Sequence, residues 1–281
     1  NRGFKFHNGG LSLAWSYHPH AFKVRCNNLK SPYDVFNDDV VFSNGIRKLL
    51  KGSFFKKTSF EVLMSQSDKV KGNIRTILRR VTGSQMVSNF RPVTASMIYK
   101  LFCDENDTVW DMSCGWGGRL LGSVKSKINY IGTDPNTTTM KGLKEFVKTF
   151  GNKSNTYELL TIGSEEYKPK NNSLDFAFTS PPYFDTEKYS NEKTQSYLKY
   201  SNINTWKEKF LRKTIDNVYL GLKDNKFMVL NVADVRNYQS FEKDTVDIAE
   251  SVGFKLVDTF DLILSSQQSD SKSEPIFVFK K

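Results

Sequence analysis

The chain is poor in the residues that metal and redox chemistry draw on. Its 281 residues include 3 cysteines and 3 histidines. Cys26, Cys103 and Cys114 are too few and too widely spaced for a disulfide framework or a zinc pattern. The histidines, His7, His18 and His20, crowd the start of the chain. With no cysteine beside it, His18-Pro19-His20 reads as a loop, and no metal is expected. Long apolar runs are missing as well. None approaches the ~18 residues that a membrane helix needs, so no membrane partner is expected. No secretory signal is read, and an opening Asn1 in place of Met is expected of a trimmed or processed chain. Free, scattered cysteines suit a reducing, intracellular setting, whether cytoplasm, nucleoid or nucleus, with viral or phage origin left open.

Acidic residues are in deficit. There are 30 Asp and Glu against 41 Lys and Arg, a formal net charge of +11. A polyanion such as nucleic acid is a natural partner for that balance, although basic proteins without one are common. Aromatic residues are plentiful, with 22 Phe and 12 Tyr. Most belong in a core, and the surplus suits stacking on bases. An apolar content of 38% and a mean hydropathy of −0.50 suit a soluble protein with a moderate core. The length allows one large domain, or one domain with an appendage.

Residues 1–85 carry little readable pattern. Thr58 to Met64 and Lys71 to Arg80 look helical. Lys69, Lys71, Arg75, Arg79 and Arg80 recur there at near-helical spacing, which makes either a phosphate-contacting face or a solvated one. From Arg91 the pattern sharpens. Pro92 opens a helix, where its missing N–H is tolerated. Strands are expected over Thr108–Met112, Asn129–Thr133, Thr156–Leu160, Ser173–Phe178, Lys226–Asn231, Lys255–Phe260 and Pro275–Phe279. Helices are expected over 118–124, Thr137–Phe150 (closed by Gly151), Trp206–Leu222 and Thr245–Val252. Alternation of this kind gives a mostly parallel sheet of seven strands with helices on both faces, a Rossmann-like α/β fold. Ligands of such sheets lie outside the carboxyl ends of the strands.

Three motifs fall on that edge. The first is Asp111-Met112-Ser113-Cys114-Gly115-Trp116-Gly117-Gly118, a glycine turn between strand and helix. The second is Gly132-Thr133-Asp134, where an acid ends the next strand. Glycines let the backbone approach a ligand, and an acid so placed binds ribose hydroxyls. The third is Thr179-Ser180-Pro181-Pro182-Tyr183, after the buried run Leu174–Phe178. Neither proline donates an N–H and each fixes φ, so the adjoining carbonyl is held stiffly as an acceptor. The Ser180 hydroxyl adds a polar contact, and Tyr183 offers a face for a planar ring. An exocyclic amine on a nucleobase matches this set. A tight turn, a helix cap and a chain break are the ordinary readings of the three motifs taken singly; their ordered combination favours the site.

The combination resembles the S-adenosylmethionine-dependent DNA amino-methyltransferases, the N4-cytosine and N6-adenine enzymes, over roughly residues 86–281. Ser180-Pro181-Pro182-Tyr183 resembles their catalytic motif. Asp111 to Gly118 resembles their cofactor motif, with Cys114 where a small residue is usual. Asn89-Phe90-Arg91-Pro92 resembles the upstream motif that closes over the cofactor's methionine end, and Glu274 to Phe279 the last strand of many such enzymes. The resemblance implies a Rossmann-like methyltransferase domain over 86–281; residues 1–85 match no part of the family and form an N-terminal extension that the basic spacing makes a candidate for nucleic-acid contact. It implies S-adenosylmethionine as cofactor, bound by Phe90, Asp111, Gly115, Gly117, Asp134, Ser164 and Glu165. DNA is the implied partner, as in restriction–modification, with the target base flipped out onto the Ser-Pro-Pro-Tyr turn. Tyr189, Tyr197 and Tyr200 in the loop after the motif are candidate nucleic-acid contacts, with Lys188, Lys193 and Lys199 candidates for phosphates; Lys71, Arg75 and Arg79 are candidates from their basic spacing alone. Loop packing is the competing role for the tyrosines. Serine at 180 leaves cytosine and adenine both open. The family's large target-recognition insertion is absent, so sequence choice falls to residues 1–85, to the 184–204 loop or to a specificity partner. RNA as substrate, and a non-catalytic nucleic-acid-binding subunit, stand as the alternatives.

Overall fold

The computed structural model describes residues 3–4, 7–26, 29–51, 81–264 and 273–281. Strands and helices are numbered along the chain: β1 Gly3–Phe4, α1 Leu11–Ser16, β2 Arg25–Cys26, α2 Pro32–Phe36, α3 Asp39–Lys51, α4 Pro92–Phe102, β3 Thr108–Asp111, α5 Gly118–Ser126, β4 Asn129–Thr133, α6 Thr137–Phe150, β5 Tyr157–Leu160, β6 Leu174–Thr179, β7 Glu187–Lys188, α7 Ser196–Lys199, α8 Ile203–Trp206, α9 Lys213–Gly221, β8 Leu222–Asn231, α10 Phe241–Val252, β9 Lys255–Ile263 and β10 Ser273–Lys280. The expected helical segments 58–64 and 71–80 lie outside the described residues, and with them Lys71, Arg75 and Arg79.

The main sheet has eight strands in the order β1-β9-β10-β8-β6-β3-β4-β5. Strands β3, β4, β5, β6 and β8 run parallel to their neighbours among themselves, and β10 alone is reversed, pairing antiparallel with β8 and β9. This is the mostly parallel, Rossmann-like α/β fold that the strand–helix alternation predicts. The eighth strand is the difference: Gly3–Phe4 adds to the edge of β9 in parallel. Two residues are too short a run to show a period, so no strand is legible there.

Burial explains the sequence pattern strand by strand. All six residues of β6 are buried, as expected of a central parallel strand covered on both faces. Trp110, Met112, Ala177, Met228 and Leu230 face the helices α9 and α10, while Val109, Phe176, Phe178, Val229 and Val278 face α4. A third cluster, with Leu120, Tyr130, Met140, Leu143 and Phe146, packs α5 and α6 on the sheet. Cys114 belongs to it, buried at 2% exposure beside the Met140 sulfur, so this position serves the core.

Chain contacts divide the protein into two compact units. One comprises Asn1–Pro19, Asn89–Thr186 and Ser190–Lys281; the other comprises His20–Ser88 and Glu187–Tyr189. The sheet unit therefore reaches ahead of residue 85: Trp15 and His18 pack on Trp116, and Tyr17 on Phe146. The second unit contains the two-stranded pair β2–β7 and the capping box of α2, where Ser31 and Asp34 satisfy each other's backbone N–H groups.

Candidate active site

The carboxyl ends of β3, β4 and β6 lie side by side in the sheet unit. The glycine turn after β3 is shaped by its backbone. Gly115 and Gly117 have φ of +47° and +77°, conformations that side chains resist. Gly118 opens α5, and a Cβ there would lie 1.8 Å from the Phe90 carbonyl oxygen. That close approach is the Asn89–Pro92 segment closing on the turn. Asn89 accepts from the Gly118 N–H at 3.1 Å and donates to the Trp116 carbonyl at 3.1 Å. Phe90 itself packs edge-on to Phe178 at 5.2 Å, so its ring serves the core beneath the turn. The missing Cβ of Gly117 faces Leu143, whereas over Gly115 only the Ser113 carbonyl comes near, at 3.7 Å. Gly115 is thus the position with room for a ligand.

Asp134 follows β4 and joins the two turns. One carboxylate oxygen accepts from the Gly115 N–H at 3.1 Å and the other from the Asn136 N–H at 2.9 Å. The cap of α6 is Asn136, whose side chain accepts from the Thr139 N–H. Helix capping therefore does not explain Asp134. Burial pushes its carboxyl up to about 6, against the two backbone N–H bonds that pull it down. An unfolded Asp titrates near ~3.9. The folded state thus holds the extra proton between those values, and Asp134 contributes a stability penalty above pH 6 that fades as the pH falls through this window. An acid kept at such a penalty, and not used as the helix cap, is a candidate binding position.

Asp111 has a different role from the expected one. Its carboxylate is fully buried and saturated, taking the Arg119 Nε–H at 2.8 Å, the Tyr130 hydroxyl at 2.6 Å, the Thr179 hydroxyl at 2.9 Å and the Ser113 N–H at 3.3 Å. No lone pair is left facing a ligand. Arg119 completes a strut: it also donates to the Ser113 carbonyl and to Thr179 Oγ1, and stacks over Phe90 and Phe178. Burial would lower the guanidinium, and Asp111 beside it holds its pKa above the ordinary value. Sequence reasoning missed Arg119. Its signal was an arginine in the first turn of a helix that follows a strand-ending acid.

After β5, Ser164 and Glu165 are both buried. The Ser164 hydroxyl bonds Thr214 at 2.8 Å, and the Asn217 amide donates to both carbonyls, so α9 holds this turn from below. Ser164 is accordingly a structural contact. Glu165 takes Lys199 Nζ at 2.5 Å and the Tyr200 hydroxyl at 3.3 Å on Oε1, while its Oε2 is buried with no partner among the described residues. A buried, unmatched acceptor calls for a donor, and a ligand amine supplies one. Lys199 was a candidate for phosphate. It is instead clamped between Glu165 and Glu166; burial lowers its pKa and the two hydrogen bonds more than restore it.

The loop after β6 spans this edge. Thr194 donates to the Pro135 carbonyl and Glu192 accepts from Thr137, while Lys199 and Tyr200 reach Glu165. One stretch of chain therefore runs from beside Asp134 to Glu165. The Tyr197 hydroxyl donates to the Ser190 carbonyl at 2.7 Å. Tyr197 and Tyr200 thus fasten the loop by their hydroxyls, the loop-packing role. Tyr189 belongs to the second unit, where it bonds Glu187.

The Ser180–Tyr183 turn leaves β6 at the centre of the edge. Pro181 is buried; Ser180, Pro182 and Tyr183 are half-buried. Thr179, held by Asp111 and Arg119, fixes the strand end immediately before Ser180. Tyr183 meets Phe241 edge-on at 5.3 Å. Phe184 then adopts φ of +52°, a left-handed conformation that an aromatic residue rarely takes, with its ring 5.9 Å from Trp206. Strain of this kind collects at functional sites, and nothing in the sequence signals it. Together, the open Gly115, the raised Asp134 and the orphaned Glu165 oxygen fit a nucleoside-bearing ligand, and Ser180 to Tyr183 fit a planar acceptor. Among the described residues, no group of three or more His, Cys, Asp or Glu is arranged to hold a metal.

No protein-family model matches the chain, and no curated protein matches it in sequence. Solved structures similar to it include a SAM-dependent methyltransferase of Methanosarcina mazei, at 14% identity over 66% of this chain and 96% of that one with a TM-score of 0.47. A SAM-dependent O-methyltransferase of Thermotoga maritima is similar at 12% identity over 69% and 67%, TM-score 0.49. A TehB-like SAM-dependent methyltransferase of Corynebacterium glutamicum is similar at 13% identity over 76% and 100%, TM-score 0.45. Likeness at this level concerns the fold; what the site does is argued from its own residues.

Proposed function

We propose that the sheet unit transfers a methyl group from S-adenosylmethionine to the exocyclic amine of a base in DNA, cytosine N4 or adenine N6, with the base flipped out onto Ser180-Pro181-Pro182-Tyr183. The observation that carries this reading is the meeting, on one sheet edge, of the Gly115–Asp134 bridge with the half-buried Ser-Pro-Pro-Tyr turn. The cofactor, when bound, supplies an already electrophilic methyl on a sulfonium. Asp134 accepts from the ribose hydroxyls, Gly115 gives the backbone room to approach, and Glu165 Oε2 accepts from the adenine amine. Ser180 and the stiff carbonyl beside Pro181 accept hydrogen bonds from the two N–H groups of the target amine, which turns the nitrogen lone pair toward the methyl. Tyr183 holds the base plane. The step needs alignment more than it needs a base, since the amine proton leaves to solvent water after transfer. A paired base cannot reach such a turn, so the substrate is flipped or single-stranded.

Equimolar DNA and RNA incubated with labelled cofactor, followed by mass spectrometry of the nucleosides, tests the reading. N4-methylcytosine or N6-methyladenine in the DNA is expected. Label in RNA alone would move the substrate to RNA, and binding of S-adenosylmethionine without transfer to either would leave a non-catalytic subunit.

Asp134→Ala is expected to weaken cofactor binding by roughly 1.5–3 kcal/mol, the worth of hydrogen bonds to a charged group, with DNA affinity little changed. In the wild type, cofactor affinity should be level above pH 7 and decline as the pH falls through about 6, where Asp134 takes up its proton. The variant should show no such decline. Calorimetry across pH 5–8 reads both; a variant that keeps the wild-type affinity, or the same pH profile, removes Asp134 from the cofactor site.

A further inference from the structure

We propose that a polar cleft beside the catalytic turn seats the nucleotide flanking the target base and reads its identity through side-chain amides. The inference rests on the function proposed above and adds where sequence context is chosen, in a chain that lacks a large recognition insertion. The cleft has a volume of about 420 Å³ and is lined by Asn204, Lys207, Asn237, Tyr238, Gln239 and Asp244. Sites for small ligands commonly measure ~300–1,000 Å³.

Its position follows from two ring contacts. Tyr183 lies 5.3 Å from Phe241, and Phe241 stacks on Tyr238 at 4.9 Å with planes 23° apart. The cleft is therefore one aromatic layer from the turn, and Asn237 also reaches Asp185, two residues past Tyr183, at 3.4 Å. A nucleotide adjoining a base held at Tyr183 has this cleft within reach.

Its chemistry selects a base over a phosphate. Lys207 lies 3.5 Å from Asp244, which also accepts from the Tyr238 hydroxyl at 2.8 Å and the Ser240 hydroxyl at 3.1 Å. The cation and the anion neutralise each other, and a phosphate would meet the Asp244 charge. What the cleft offers is three carboxamides, each with a donor and an acceptor: those of Asn204 and Gln239, and that of Asn237, whose amide also donates to Asp185 at 3.4 Å. Asn and Gln pair with adenine through two hydrogen bonds, so adenine is the base expected there. A second feature marks the same cleft. Lys207–Arg212 forms a π-helical stretch between α8 and α9, and such wide turns recur at functional sites.

The test is methylation of an oligonucleotide pool randomised on both sides of the target base, with sequencing of the methylated fraction. The readout is the ratio among contexts, which a change in overall rate does not move. The wild type should favour adenine at one adjoining position by about tenfold or more, the scale of one bidentate pair. The triple variant Asn204→Ala, Asn237→Ala, Gln239→Ala should flatten that ratio. Gln239→Glu alone, which exchanges donors for acceptors, should shift preference toward cytosine. An unchanged preference in both variants, or no flanking preference in the wild type, overturns the inference while leaving the methyltransferase reading intact. No transfer by the wild type to any member of the pool overturns both.

Discussion

Arg119→Ala lowers the free energy of unfolding by about 3–5 kcal/mol, the loss expected when one partner of a buried ion pair is removed and the other is left uncompensated. The expectation follows from how little water reaches the pair, with side chains 6% and 0% exposed, and from what else Arg119 holds. Its guanidinium ties the end of β3, through Asp111 and the Ser113 carbonyl, to the end of β6, through Thr179. Tyr130 adds β4 to the same carboxylate, and burial with the Asp111 charge keeps its phenol far above its ordinary pKa, so it stays a donor. Arg119→Lys retains the charge without the planar fork and should fall between wild type and Ala. Arg119→Met combined with Asp111→Leu and Tyr130→Phe should recover part of the loss, because neither a lone charge nor the Tyr130 hydroxyl is then buried without a partner. Urea unfolding of the four proteins measures this. A loss below about 1 kcal/mol for Arg119→Ala, or a combined variant no better than the single, would show that the strut contributes little.

The strut also marks the limit of what the sequence discloses. The strand at Asn129–Thr133 and the helix at Thr137–Phe150 have the bounds their patterns predict, because a buried strand and an amphipathic helix write their periods directly into the order of residues. The carboxyl-edge motifs were legible for a related reason: glycines, prolines and a strand-ending acid act through the local backbone. Partners distant in sequence leave no such mark. Asp111 meets Thr179 across 68 positions and Arg119 across 8, so its reassignment from ligand contact to buried strut waited on the fold. In the sequence Lys199 is one more cation in a basic chain; in the fold Glu165 and Glu166 both hold its ammonium group. The helix expected over Trp206–Leu222 is observed as the end of α8, the π-helical stretch Lys207–Arg212 and α9. Helical period alone does not distinguish these turns.

Substitutions in the Ser180–Tyr183 turn should have the largest effects on the proposed reaction. Tyr183→Ala is expected to lose target affinity and turnover together, since stacking on a base contributes roughly 1–3 kcal/mol. Tyr183→Phe should keep much of both, because the stacking face and the edge contact with Phe241 survive. Ser180→Ala should lower single-turnover transfer by about 100-fold, the order that misplacing a reacting group costs, with cofactor affinity little changed. The two variants thus fail differently, one in holding the base and the other in aligning its amine. Thr179, fixed by Asp111 and Arg119, keeps the strand end in place in both, so neither substitution should disturb the glycine turn. Single-turnover methyl transfer, with cofactor affinity and the urea midpoint measured in parallel, separates chemistry from folding. If Tyr183→Ala and Ser180→Ala both methylate DNA at the wild-type rate, the turn is not where methyl transfer occurs, and the site must be sought elsewhere on the carboxyl edge.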